Sequence, residues 1–277
     1  MPRTDSRRGR GPTVVVGAAL VIGALVTAFP LLWMILGSVK PRSESVAHPP
    51  RVLPREPTPE FFAHLFQELD FGRYLINTVA VVVIGMAGLI LMAMAGYGFA
   101  KFRFRGRTPM FFLVLVTMMI PVQVTMIPTY LILNGMRLTD TLIGIALPGL
   151  VSGFSVFLFR QFMTTIPTAM IEAARMDGAS EARIFWRIVL PLSKPIMAVQ
   201  VVLTFIAGWN SFLWPLIIAN DERLYTLSVG VSLLNQQIAT NPSLQMAAST
   251  LMVAPILIVF IAFQRFVVQG FTLSGLK

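Results

Sequence analysis

The chain lacks cysteine altogether, has two histidines among 277 residues, and only 12% of its residues are charged. The first absence excludes a disulfide scaffold and, with so few histidines, leaves little for a metal site. The shortage of charge excludes disorder, and it excludes an ordinary soluble globule, of which roughly a quarter is charged. Apolar residues stand in the place of charge: 56% of the chain is hydrophobic and its mean hydropathy is +0.76. This is the composition of an integral membrane protein.

Residues 14–39, 74–100, 108–136, 141–159 and 195–220 contain no Asp, Glu, Lys or Arg. Each is long enough, or nearly so, to cross a hydrocarbon core that needs about 20 helical residues. The charge-free stretch 224–264 is too long for one crossing, and Asn235, Gln236, Gln237 and Asn241 before Pro242 divide it, placing a sixth span near 244–264. Period-two alternation is not sustained in these runs, so helices are expected rather than a barrel. The first run, at 26 residues, exceeds the roughly 7–15 of a signal-peptide core and is read as an uncleaved span that Pro30 either kinks or bounds.

The net charge of +10 lies between these runs, so it marks topology rather than a nucleic-acid surface. The N-terminus, 101–107, 160–194 and 265–277 hold fifteen basic and four acidic residues, whereas 37–73, 133–140 and 220–223 hold seven basic and eight acidic ones. The positive-inside rule makes the first set cytoplasmic, with both termini. The short loop from Lys101 to Arg107 weighs most, with four cations and no acid. The expected segments are a basic N-terminus at 1–13, a first span at 14–36, an extracytoplasmic loop at 37–73, a core at 74–266 and a tail at 267–277.

Within the outer loop, Pro41, Pro49, Pro50, Pro54, Pro57 and Pro59 favour extended backbone. Pro59 to Phe66 then reads as an amphipathic helix on the outer surface. His48 and His64 are expected as solvated loop side chains with no metal. No lysine follows a glycine, so there is no phosphate-cradling loop, and neither a Gly-x-Ser-x-Gly elbow nor a His-Glu-x-x-His helix occurs. The charge-free spans also lack the mid-membrane acid or base of ion-coupled transport. Uphill movement would draw its energy from a partner.

The segment 167–191 shows how. Pro167 suits the start of a helix carrying Glu172, Ala173, Ala174, Arg175 and Met176, which Asp177-Gly178 stops because glycine accepts the left-handed conformation. Ser180 caps a second helix from Glu181 to Leu190, ended by Pro191. Ile184, Phe185 and Ile188 form an apolar stripe at helical spacing that is not expected to face water.

Glu172-Ala173-Ala174, three residues, Gly178, nine residues and Ile188-Val189-Leu190-Pro191 resemble, in type and spacing, the EAA loop of permease subunits in binding-protein-dependent ABC importers. The similarity extends through Phe71 to Thr78, Gly96 to Lys101, Met119 to Gln123 with Ile127-Pro128, and Trp209 to Leu216, which look like permeases of carbohydrate importers of the maltose and glycerol-phosphate type. The resemblance implies an all-α integral membrane protein of six transmembrane helices with type I importer architecture in the bacterial cytoplasmic (inner) membrane. It further implies a second permease, an ABC ATPase dimer that binds ATP and Mg, and an extracytoplasmic sugar-binding protein, with no cofactor on this chain. The coupling loop at 164–191 would dock into the ATPase, Glu172 anchoring it, Gly178 setting its turn and the stripe filling the cleft. The tail Val268 to Lys277 resembles the extension that enters the ATPase interface in the maltose importer, although it departs from that extension's alanine- and valine-rich ending.

A sugar presents apolar ring faces and hydroxyl edges, so aromatic and amide side chains are the candidates for its path. Trp209, Asn210, Ser211 and Trp214 come first, Asn210 and Trp214 being four apart and sharing a face on a helix; Gln123, Asn77 and Asn134 follow. Each has an alternative role as an interfacial anchor or an interhelical hydrogen bond. An ion-coupled or facilitative secondary transporter also suits six spans but leaves the loop spacing without a purpose. A trehalose, a maltodextrin, a glycerophosphodiester or another glycan is open as the substrate.

Overall fold

The computed structural model describes residues 10–237 and 241–274, with side chains over 15–234 and 241–265. All regular structure among them is helical. The chain divides into two compact units, one of residues up to Leu69 together with Leu234–Leu251, the other of Asp70–Leu233 with the residues from Met252 onward.

In the first unit, α1 (Arg10–Ser38) runs through Pro30 without ending. The stretch Val15–Ser38 buries none of its most apolar window within the chain. The proline-rich loop that follows is folded back on itself. After the short α2 (Arg42–Ser45), Glu44 accepts from the backbone N–H groups of Arg55 and Glu56 at 3.0 and 3.2 Å. Lys40 is buried, donates to the Arg51 carbonyl and lies 4.7 Å from the centre of the Trp33 ring. The expected amphipathic helix forms as α3 (Glu60–Glu68), turning Phe61 and Leu65 inward. His64 sits on it and meets Glu68 one turn on at 2.9 Å, rather than standing free in a loop.

In the second unit, α4 (Phe71–Lys101) is the central post. Against it pack α8 (Gly153–Thr164) and α12 (Lys194–Trp209). Glycine on α4 permits the approach: a Cβ at Gly88 would lie 1.8 Å from the Leu150 carbonyl oxygen. The N-terminal part of α4 is tied by side chains to the loop ahead of α14 (Leu227–Gln237). Asn77 Nδ2 donates to the carbonyls of Arg223 and Tyr225 at 2.8 and 3.0 Å, and Thr78 Oγ1 accepts from Leu227 N at 2.7 Å.

Among the described residues, three helices are individually long and apolar enough to cross a membrane, over Val15–Ser38, Phe71–Lys101 and Pro242–Arg265. The other three charge-free runs are not straight crossings. The run at 108–136 is α5 (Arg107–Thr117) and α6 (Val122–Gly135), bent by 101°. Its break falls before Pro121, where proline pushes the preceding residue out of the helical region. The run at 141–159 is a helix Leu142–Gly149, beginning as α7 (Leu142–Ala146), followed at 45° by α8. In the run at 195–220, α12 ends at Trp209 and α13 (Leu213–Ile218) begins after a gap. Pro215 cannot donate to the residue four positions back and its ring clashes there, so the helix does not run through Ser211. The helical partner of α12 is instead Glu181–Leu192, joined to it at 78°. The division expected at Asn241-Pro242 coincides with the start of α15 (Pro242–Ser274). Residues 1–9 of the basic N-terminus and 275–277 of the tail lie outside the described residues.

Replacing Gly88 with Ala is expected to cost on the order of 3 kcal/mol, because the obstructing atom belongs to backbone. Gly98→Ala, with nothing within 4 Å of its added carbon, is expected to be neutral. Thermal unfolding of the two variants in detergent distinguishes them.

Candidate functional site

The hairpin at 168–192 is built as its residues dictate. After α9 (Thr168–Met176), Gly178 adopts φ +78° and closes the helix through Gly178 N to Arg175 O and Ala179 N to Ala174 O, both 3.0 Å. Ser180 Oγ accepts from Arg183 N at 3.4 Å and opens α10 (Glu181–Ile184). The backbone then widens into a π-turn over Phe185–Val189 and resumes as α11 (Leu190–Leu192). Pro191 therefore lies inside the helix, at its first turn after the widening, and the end comes at Ser193 instead.

The apolar stripe takes a different place from the one expected. Ile184 and Phe185 are buried in this chain's own core, with Ile171 and Val189, against Tyr97 and Met163. Ile188 and Leu190 are half-buried against the same cluster. These side chains hold the hairpin to the bundle and are not free to fill a partner's cleft. The outer face instead presents Glu172, Ala173, Asp177 and Pro191, while Ala174 is half-buried. Four large apolar side chains of the hairpin are exposed, Met170, Met176, Trp186 and Leu192, with Met176 the most so at 87% and Trp186 next at 52%.

A polar joint fixes the hairpin to the end of α4. Tyr97 Oη donates to Glu181 Oε2 at 3.1 Å, and Arg175 Nε donates to Glu181 Oε1 at 2.6 Å. The Arg175 guanidinium also lies 5.7 Å from the Phe102 ring centre, and Lys101 Nζ donates to the Ile166 carbonyl. One carboxylate thus links both hairpin helices to the central post. Sequence reasoning passed over Tyr97 and Glu181, although a carboxylate six residues from Arg175 across a glycine turn was a readable signal.

The second feature is a cavity of about 750 Å³ within the larger unit, bordered by α4, α6, α8 and α12. Ser211 and Trp214 border it; Trp209, Asn210, Asn77 and Gln123 do not. Trp209 is 2% exposed, stacks on Phe205 at 5.2 Å and donates from Nε1 to the Met252 carbonyl at 2.9 Å. It is a packing residue. Asn77 is the clamp already described, and Asn210 is exposed at the C-terminal cap of α12, where the broken helix denies it a common face with Trp214. Gln123 and Asn134 are exposed on α6. The residues that sequence reasoning missed are Ser155 and Gln200, the latter a lone amide in an apolar run and therefore visible as an anomaly.

At the opposite end of α4, Asp140 accepts from Asn220 Nδ2 at 3.0 Å and from Asp221 N at 3.2 Å. The hydrogen bonds from Asn220 hold its carboxyl below the usual range.

Residues 88–273 match the family of binding-protein-dependent transport system inner membrane components. The chain belongs to this family. It is a non-catalytic membrane subunit of an ABC importer, and membership does not favour a secondary transporter working without an ATPase. Among its relatives, the arabinooligosaccharides transport system permease protein of Bacillus subtilis is 34% identical, covering 92% of each chain. The sn-glycerol-3-phosphate transport system permease protein of Yersinia pestis is 34% identical over 94% of this chain and 96% of its own. The lactose transport system permease protein of Rhizobium radiobacter is 32% identical over 95% and 96%. A crystal structure of a bacterial ABC transporter that imports the acidic polysaccharide alginate contains a chain with TM-score 0.82 and 25% identity, covering 96% of this chain and 99% of its own.

Two outcomes are expected. Tyr97→Phe and Glu181→Gln should each lower the coupling of ATP hydrolysis to uptake in the assembled importer, read as ATP consumed per substrate moved, with normal assembly on a gel-filtration column. A carboxyl whose folded pKa is depressed contributes stability above its unfolded pKa and loses it as pH falls through the folded value. Acidification should therefore lower the melting temperature of the parent more than that of Asp140→Asn, measured across the carboxylate range.

Proposed function

We propose that this chain is one of two permeases in an ATP-driven importer of a carbohydrate or related polyol, delivered by an extracytoplasmic binding protein. The observation that carries the reading is the hairpin, whose exposed face bears Glu172 and whose inner face is anchored to α4 through Tyr97 and Glu181. Movement of a partner seated on that face has a short, rigid path into the spans. A second permease and an ABC ATPase dimer, which holds the ATP and Mg²⁺, complete the assembly. The carbohydrate class is supported by the relatives named for arabinooligosaccharide and lactose transport.

Six spans result when each bent pair contributes one to the three long helices, the third pair through α12, with Glu181–Leu192 outside the membrane as part of the hairpin. Charge places the hairpin and both termini on the cytoplasmic side. With Ile184 and Phe185 turned inward, the contact with the ATPase falls to Glu172, Ala173, Asp177, Met176 and Trp186. The exposed methionine and tryptophan supply apolar anchors, and the carboxylates orientation, for a helical docking surface. Gly178 sets the turn between the two helices.

Glu172→Lys is expected to abolish uptake while the complex still assembles and the ATPase still turns over. Met176→Ser is expected to weaken co-purification of the ATPase by about tenfold, the loss that one buried anchor carries. Full uptake in the Glu172 variant, or no ATPase recovered with the parent chain, overturns the reading.

A further inference from the structure

The cavity has a composition that narrows what can occupy it. Among the described residues, its lining contains no Asp, Glu, Lys, Arg or His. Apolar side chains from α4, α6 and α12 supply much of the wall, and hydroxyls come from Thr125, Thr129, Ser152, Ser155, Thr204 and Ser211. Gln200 borders the same space and is fully buried. Its Oε1 accepts from Ser155 Oγ at 3.0 Å, while its Nε2 has no hydrogen-bond partner among the described residues. A buried amide left without an acceptor is costly, and native interiors seldom keep one.

We infer that this cavity is a passage subsite for a neutral polyhydroxy substrate, with Gln200 as the residue that recognises a substrate hydroxyl. The inference rests on the import reading above and deepens it. The open space beside the amide is the cavity, so a ligand oxygen entering it, with a small turn of the side chain, supplies the missing acceptor. Ser155 fixes the other end of the amide and sets which edge is offered. A volume of about 750 Å³ is that of a typical small-ligand site and takes two or three sugar rings. Ring faces lie against aliphatic wall and the Trp214 edge, and hydroxyls meet the threonine and serine oxygens. A phosphate or uronate finds no counter-charge there, and an anion brought into such a wall loses its hydration without replacement. The substrate class is therefore neutral, in contrast with the acidic polysaccharide of the alginate importer.

The test uses the whole importer, with its ATPase, second permease and binding protein, in proteoliposomes. Lactose and arabinotriose are the neutral probes; sn-glycerol 3-phosphate and an alginate trisaccharide are the anionic ones. The neutral probes are expected to enter with ATP and the anionic ones to be refused. Gln200→Met keeps the side-chain volume and removes both donors. It is expected to raise KM for the neutral probe about tenfold, the loss of one hydrogen bond, with kcat little changed. Gln200→Asn, which keeps the amide but withdraws it by one methylene, is expected to fall between, and serves if the methionine variant does not assemble. Entry of anionic probes alone, or an unchanged KM in every variant that assembles, overturns the inference and leaves ATP-driven import standing. Failure of the parent to move any probe with ATP overturns the import reading and this inference with it.

Discussion

Lipid tails are as apolar as leucine, so helices within a bilayer are held by contact and hydrogen bonding rather than by expulsion of water. The larger unit meets this condition along α4. The Leu150 carbonyl reaches the backbone of α4 at Gly88, where no side chain intervenes. Close approach of this kind lets dispersion act over the whole seam. It also gives polar groups short reach across it, as in the ties from Asn77, while Ser155 of α8 and Gln200 of α12 pair with each other beside it. Of the bends in the neighbouring helices, the one between Gly149 and Gly153 lies against the post, whereas Met118–Pro121 at the sharpest bend are exposed.

The hairpin shows how a short segment can serve two masters. Its inner side chains, Ile171, Ile184, Phe185 and Val189, are core residues of the larger unit. Its outer side chains are exposed, including two methionines, a leucine and a tryptophan. Burial on one face makes the hairpin stiff, and the Glu181 carboxylate, bonded to Arg175 and Tyr97, keeps its two helices from pivoting at the glycine turn. Rigidity and an uncovered face are what the proposed docking of an ATPase requires of the hairpin.

Composition, charge-free runs and the glycine-centred hairpin were legible in the residues, because hydropathy and turn chemistry are local properties. The left-handed Gly178 and the Ser180 cap lie where local rules put them. The bends were misjudged, since a run without charges reads as one crossing whether or not Pro121 and Pro215 interrupt it. The stripe of Ile184 and Phe185 was legible as apolar but not as inward-facing, because periodicity does not say which neighbour a face meets. Trp209 failed for a related reason: an indole beside an asparagine suggests a sugar platform, yet its N–H found the Met252 carbonyl and its ring found Phe205. Gln200 mattered through distant partners, Ser155 above all, which spacing alone does not reveal.

The interruption between α12 and α13 carries a consequence for selectivity. At Ser211 the backbone leaves the helical ladder beside a space already ringed with hydroxyls. Irregular backbone of this kind is tolerated in a membrane protein only where protein or water covers it, and the hydroxyls beside it are the groups that hold water when no solute is present. An incoming molecule must then strip that hydration and replace it bond for bond. Greasy compounds of suitable size are rejected by dehydration cost rather than by shape.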